Sequence, residues 1–246
     1  MSRRIANPTH QNTGWHSFSA HGFFSGIPLL QGQVASVELG DGLVLKHSVS
    51  SDLFNGAAIC VGKAATAWLL ADAEALPIAI LEAVILSEGA GSDLGLHEAC
   101  DLISETVQQT IIELGRTAAY DLSSTLEIGS IFIVKRLEVR NGFRSAGLSK
   151  LLVERVLIEL SDRFRFALMA LKPFPLQYQH AEPEIGSKEY VTFWNTFQDD
   201  VEKLSCFYSY EFGCVSASHD SDLLIKNLPG FVGGRNRNGW IINRSE

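Results

Sequence analysis

The sequence lacks several features that would assign it to a class at once. Its four cysteines are widely spaced, with no Cys-x-x-Cys motif and no Cys/His cluster at zinc-ligand spacing, so we predict no metal site. No apolar run approaches the roughly 18–20 residues that span a bilayer. The longest candidate, near residues 75–86, is interrupted by Pro77 and Glu82. We therefore expect no membrane partner.

Targeting signals and charged tracts are also missing. No apolar stretch follows Arg3 and Arg4, which argues against a signal peptide, and a reducing cytoplasm is the simplest location for the four thiols. Charges do not form blocks of one sign, but the formal net charge is −8. Because an acidic surface repels phosphate backbones, we expect no nucleic-acid partner, whereas a cationic substrate such as an amine would suit it.

What is present is a core-forming chain of 246 residues, of which 46% are hydrophobic. The composition of residues 1–33 predicts an irregular arm whose aromatic residues pack on the domain. The arm holds His10, His16 and His21, whose spacing does not put them on one helix face, so we favour this reading over a metal site. We assign residues 34–228 to the domain itself and 229–246 to a C-terminal tail.

The first half of the domain predicts antiparallel strands. Strands at 34–39 and 43–47 flank the hairpin signal Gly40-Asp41-Gly42. The sequence predicts two further strands, or parts of one bent strand, at 57–61 and 65–70. It predicts another strand at 78–86. A helical stripe then predicts one long helix over residues 92–116, whose acidic side is either a solvated face or a substrate groove.

The stretch from Ile131 to Leu152 organises the second half. A buried central strand is predicted over residues 125–139, with a possible kink at Gly129, followed by a Gly-containing loop and a helix to about Phe164. A strand at 166–171 follows. This strand–helix–strand order implies a parallel pair with a right-handed crossover. Pro173 cannot donate to a sheet ladder, so pairing should fail there and leave a wedge between the two strands.

The strand ends in Leu137-Glu138-Val139, and the loop continues with Phe143 and then Arg144-Ser145-Ala146-Gly147-Leu148-Ser149. This stretch resembles the acetyl-CoA-binding signature of the GNAT N-acetyltransferases. In that family a strand ending in Val precedes an Arg/Gln-x-x-Gly-x-Gly/Ala turn, and here Ser149 stands in place of the final Gly or Ala. A helix start of this kind supplies backbone N–H groups and a positive dipole end for a phosphate.

The resemblance implies a GNAT-like α/β fold, in which antiparallel N-terminal strands join a splayed parallel pair with flanking helices. It implies acetyl-CoA as cosubstrate and transfer of its acetyl group to a small-molecule or peptide amine. Backbone N–H groups from Arg144 to Lys150 would hold the pyrophosphate. The residues that the resemblance assigns to cofactor binding are Leu137, Val139, Arg144, Ser145, Ala146, Gly147, Leu148, Ser149 and Lys150.

The helix predicted at 191–208 carries a second resemblance, to the Tyr-x-x-Leu-Gly-Phe segment whose Tyr protonates the departing thiolate. Aligning Phe212-Gly213 with Leu-Gly places Ser209 at the Tyr position. We choose Tyr208, because Phe207-Tyr208 resembles the usual aromatic pair, and Tyr210 is the alternative. For the base that deprotonates the amine, Glu138 in the central strand and Glu82 in the preceding strand are both candidates.

Three other functions stay open. The displaced tyrosine and the unusual N-terminal half also fit an inactive GNAT-like binding or regulatory module that still binds CoA. A GNAT toxin acting on aminoacyl-tRNA fits the acidic charge poorly, and a general nucleotide binder would prefer ATP or NAD to CoA. The sequence leaves a homodimer open and does not name the amine.

Overall fold

The computed structural model describes residue 23 and the segments 26–53, 60–71, 74, 76–89, 95–117, 121–178 and 183–228. The tail from 229, the three arm histidines and the predicted helix start at 92–94 lie outside these residues. Within the described part of the chain, no helix has both the length and the apolar character needed to cross a membrane.

The described residues form an α/β fold around one open, mixed and mostly antiparallel sheet of eight strands with five helices. Along the sheet the strand order is β1-β2-β3-β4-β5-β6-β8-β7, and only β5 and β6 run parallel. The elements are β1 Val34–Gly40, β2 Leu43–Asp52, β3 Cys60–Ala71, β4 Ala79–Glu88, α1 Leu96–Ile103, α2 Glu105–Arg116, α3 Leu122–Ile128, β5 Ser130–Val139, α4 Leu148–Leu160, β6 Phe166–Leu171, a short 3-10 turn Leu176–Tyr178, α5 Lys188–Phe212, β7 Val215–Ser216 and β8 Leu224–Asn227.

Helices cover both faces of the sheet, which explains the near-continuous apolar runs of the central strands. On one face, α4 and the C-terminal half of α5 pack against β2–β6. On the other face, α1, α2 and α3 pack against β3–β6. The predicted first hairpin is confirmed, and Gly213 ends α5 in the left-handed conformation. The described residues of the next two predicted segments, from Cys60 onward, lie in the single strand β3, and residues 57–59 lie outside the described part of the chain.

Two predicted elements are wrong, and capping explains both. The single helix over 92–116 is broken, because Ser104 is extended and its hydroxyl accepts the Val107 N–H as the N-cap of α2. The central strand does not begin at 125. Asp121 accepts the Ser123 N–H and caps α3, so residues 122–128 are helical and β5 starts only after Gly129.

A β-bulge in β5 changes which side chains face which core. Ala83 pairs with Val134, but Glu82 pairs with Arg136, so Lys135 is the extra residue. Before the bulge Val134 faces α4, and after it Leu137 packs on the same core. Arg136 and Glu138 therefore point to the opposite face. Without the bulge, strict alternation along the strand would have put Leu137 on that face instead.

Candidate functional site

The parallel strands β5 and β6 separate part of the way along β5. The last paired residues are Val134 and Leu171, after which β6 ends and residues 172–175 leave the sheet, whereas β5 continues to Val139. On the other side of β5, the Arg140 N–H donates at 2.8 Å to the carbonyl of Ile78, the residue before β4. Because successive N–H groups of a strand alternate in direction, the Val139 N–H points into the opening that β6 leaves.

The loop after β5 ends in an uncapped helix N-terminus. Gly147 is the N-cap of α4 in the left-handed conformation (φ 71°), and no side chain caps this helix. The non-glycine Ser145 is also left-handed (φ 66°). The first N–H groups of an α-helix have no intrahelical partner. A Cβ at Gly147 would meet nothing within 4 Å, so open space adjoins this part of the loop.

The opening and the loop form one cavity of about 360 Å³. Eight of the nine predicted cofactor-binding residues line it, namely Leu137, Val139, Arg144, Ser145, Gly147, Leu148, Ser149 and Lys150. Ala146 lies in the same loop but does not line the cavity. Of the predicted catalytic residues, Tyr208 and Glu138 line it and Glu82 does not. A separate surface depression on α5 is lined by Asp199, Glu202, Lys203 and Cys206, none of which was predicted as a site residue.

Arg144 connects the loop to the end of β5. Its Nε donates to the Val139 carbonyl at 3.2 Å, which holds the loop against the strand. Desolvation lowers the pKa of the Arg144 guanidinium, and the negative charge of Glu138 raises it. Nearby, the Arg140 guanidinium lies 4.7 Å from the centre of the Phe143 ring and pairs with Glu74. Of these two arginines, Arg144 lines the cavity and Arg140 does not.

The structure distinguishes the tyrosines near the end of α5. Tyr208 is buried against Phe207 and Phe212 and lines the cavity, and its burial raises its pKa to about 12. Tyr210 is 87% exposed and lies outside the cavity. Of the two tyrosines considered from the sequence, only Tyr208 has its ring in the opening, with a hydroxyl that stays protonated at neutral pH.

The two acidic candidates share one arginine on the face opposite α4. Arg136 lies 2.8 Å from Glu138 through Nη2 and 3.2 Å from Glu82 through Nη1. Its Nη1 also donates to the Gly26 carbonyl, and Trp68 Nε1 donates to the Pro28 carbonyl. Residues 26–28 therefore run over this end of the sheet, next to the carboxylates.

Sequence reasoning missed part of the cavity wall. It did not assign Phe174, Pro175, Leu176 and Gln177, which follow the divergence of β6, or Leu204 and Glu211 of α5. The available signal on α5 was the spacing of Leu204, Phe207, Tyr208 and Glu211, which places all four on one helix face. Nothing in the sequence locates residues 174–177 beside that face, because they follow a strand end with no regular pattern.

Neither a metal centre nor a known relative identifies the site. Among the described residues, no three His, Cys, Asp or Glu side chains gather where they could hold a metal ion. No protein-family model, no curated protein and no solved structure matches this chain. The structure is that of an α/β protein with an open mixed sheet. Because a fold does not determine a function, the cavity is the feature that bears on what the protein does.

Proposed function

We propose that this protein is a GNAT-type N-acetyltransferase that transfers the acetyl group of acetyl-CoA to an amine. One observation carries the proposal: the cavity between the diverging strands β5 and β6 joins an uncapped helix start to a buried tyrosine. An elongated ligand with an anionic pyrophosphate at one end and a reactive group at the other has the chemistry that such a cavity suits.

The loop from Arg144 to Lys150 is the proposed seat of the pyrophosphate. The backbone N–H groups at the start of α4 would interact favourably with an anion. The Arg144 and Lys150 side chains add positive charge at the cavity wall. Leu137 and Val139 lie on the edge of β5 that β6 leaves unpaired, and the pantetheine arm would bind along this edge. The bound cosubstrate would supply the activated thioester, and the chain supplies position and proton transfer.

The chemistry requires a donor, an acid and a base. The Val139 N–H points into the opening, where it would stabilise negative charge developing on a carbonyl oxygen. Tyr208, which stays protonated at neutral pH, would donate its proton to the leaving sulfur. The amine must lose a proton before it attacks, and Glu138 and Glu82 stay the two candidate bases.

A second candidate is a CoA-binding module without catalysis, and the Arg136 contacts favour it. Both acidic side chains are ion-paired to this arginine, and Glu138 is only 4% exposed. A carboxylate held in this way must leave its partner, or act through water, before it can take a proton from an amine. A module of this kind would keep the loop and the cavity but not the turnover.

The test separates binding from turnover. Acetyl-CoA should raise the melting temperature of the protein, whereas ATP and NAD at the same concentration should not. Release of CoA thiol, followed with a thiol reagent across a panel of small and peptide amines, then measures transfer. Stabilisation without turnover on any amine supports the binding module. A stronger response to ATP or NAD than to acetyl-CoA rejects both functions.

A further inference from the structure

We propose that Cys60 and Cys100 form an oxidisable dithiol that peroxide converts into a disulfide fastening α1 to β3. The inference concerns the face of the sheet opposite α4 and does not rest on acetyl transfer. Cys60 is the first residue of β3 and Cys100 lies in the middle of α1. Their sulfurs are 3.9 Å apart, in contact but not bonded.

The pair sits in a close contact between helix and strand. Ala99 and Cys100 are the buried residues of α1, and they belong to the same core as Cys60. Two residues further along β3, Gly62 has no side chain, and a Cβ there would be 2.5 Å from the Ile103 Cδ1. Ile103 therefore lies directly over the strand, and this contact holds Cys100 above Cys60.

Only these two of the four thiols can reach each other as the chain is folded. Cys214 belongs to the core on the other face of the sheet, and Cys206 is exposed on α5. A disulfide needs an S–S separation of about 2.05 Å, so the Cys60 and Cys100 sulfurs must approach by about 2 Å. A small movement of an eight-residue helix over a strand can supply that approach.

The reaction balances with one molecule of hydrogen peroxide. The Cys60 sulfur attacks the O–O bond and becomes a sulfenic acid as one water leaves. The Cys100 sulfur then attacks the Cys60 sulfur, the S–O bond breaks, and a second water carries away the proton. Together the two thiols lose two electrons, and these electrons reduce the peroxide to water.

The contact between the two sulfurs also affects their acidity. Either sulfur can donate the hydrogen bond between them, and this contact lowers the pKa of the Cys60 thiol. The same contact and burial raise the pKa of Cys100. Attack by either sulfur gives the same disulfide, and the lowered pKa of Cys60 favours attack by that sulfur.

Burial sets the expected rate. Cys60 is 1% exposed and Cys100 0% exposed, so peroxide reaches them only when α1 opens from the sheet. The pair should react more slowly than the exposed Cys206. Once formed, the bond should oppose the same opening, which gives the disulfide a measurable effect on α1.

The experiment uses the full chain carrying Cys206→Ser, which removes the exposed thiol and prevents disulfides between molecules. The protein is treated with hydrogen peroxide, denatured, alkylated and digested. We expect a Cys60–Cys100 linked peptide and a loss of two mass units that dithiothreitol reverses, with Cys214 still open to alkylation. Matched variants that also carry Cys60→Ala or Cys100→Ala should not show the loss of two mass units.

Two results would overturn the proposal. If the folded Cys206→Ser protein gives sulfinic acids or unchanged thiols at Cys60 and Cys100, the pair is not a disulfide site. If the link forms but amide hydrogen exchange in α1 is no slower than in the reduced protein, the bond does not fasten the helix. Because both readouts use a protein with its buried cysteines intact, failure of the alanine variants to fold would not obscure the answer.

Discussion

Arg136 and Glu138 lie two residues apart in β5 and form an ion pair of 2.8 Å between Nη2 and Oε2. They share a face because residues i and i+2 of a strand point the same way. The bulge at Lys135 turns that face away from α4, so the charges avoid the main apolar core and Leu137 enters it. One extra residue therefore separates the charged side of the site from its apolar side.

Removing Arg136 should destabilise the protein strongly. Arg136→Met removes the 2.8 Å ion pair of the buried Glu138 carboxylate, and we expect a loss of about 3–5 kcal/mol in the free energy of unfolding, measured with urea. The double variant Arg136→Met/Glu138→Gln should recover part of this loss, since it no longer buries a charge. As a control, Lys203→Met removes an exposed lysine from its pair with Asp200, which still accepts from Gln177 and Tyr178, and should leave the unfolding midpoint close to wild type. Equal losses in the single and double variants would contradict the role of the pair.

Tyr208 should affect turnover more than cosubstrate affinity. Tyr208→Phe keeps the buried ring but removes the hydroxyl that would protonate the leaving sulfur, so we expect kcat to fall by about 10²-fold or more. The calorimetric Kd for acetyl-CoA should change little. Tyr210→Phe is the matched control, because its side chain is 87% exposed and lies outside the cavity. Unchanged kcat in Tyr208→Phe would remove this residue as the acid.

The same tyrosine predicts a loss of stability at high pH. Burial raises the pKa of Tyr208 to about 12 from its ordinary value of 10.0, so the folded state keeps a proton that the unfolded state releases. Since the unfolded state binds fewer protons between those values, the free energy of unfolding falls as the pH rises above about 10. Two pKa units correspond to at most about 3 kcal/mol. The melting temperature of Tyr208→Phe should therefore fall less than that of wild type and of Tyr210→Phe between pH 9 and 11. Parallel decreases in all three proteins would refute the link.

Gly147 tests the anion-binding loop. A large side chain at this N-cap would fill the open space beside the loop, so Gly147→Trp should weaken acetyl-CoA binding at least about tenfold by calorimetry. Gly186→Trp is the control, since Gly186 also has a positive φ and open space but lies outside the cavity. Both variants strain the backbone by about 1–3 kcal/mol, so thermal stability should drop in both. Wild-type affinity in a folded Gly147→Trp protein would remove the loop from the binding site.

Local signals in the sequence were sufficient to predict the two strands and the helix beside the cavity. The run from Ile131, the helical spacing after Gly147 and the strand at 166–171 predicted a parallel pair, and β5, α4 and β6 confirm it. The predicted helix over 92–116 failed because the apolar stripe continues across a break. Its periodicity records which face is buried, whereas the cap at Ser104 decides where the backbone turns.

What the sequence by itself determined is the first hairpin, the succession of β5, α4 and β6, and the residue types at the loop. These depend on contacts within a few positions of the chain. Only the tertiary structure decided that Lys135 is a bulge, that Tyr208 and not Tyr210 faces the opening, that Arg136 joins Glu82 to Glu138, and that Cys60 contacts Cys100. Each of these depends on register or on packing between segments far apart in the chain, and no local pattern encodes such distances.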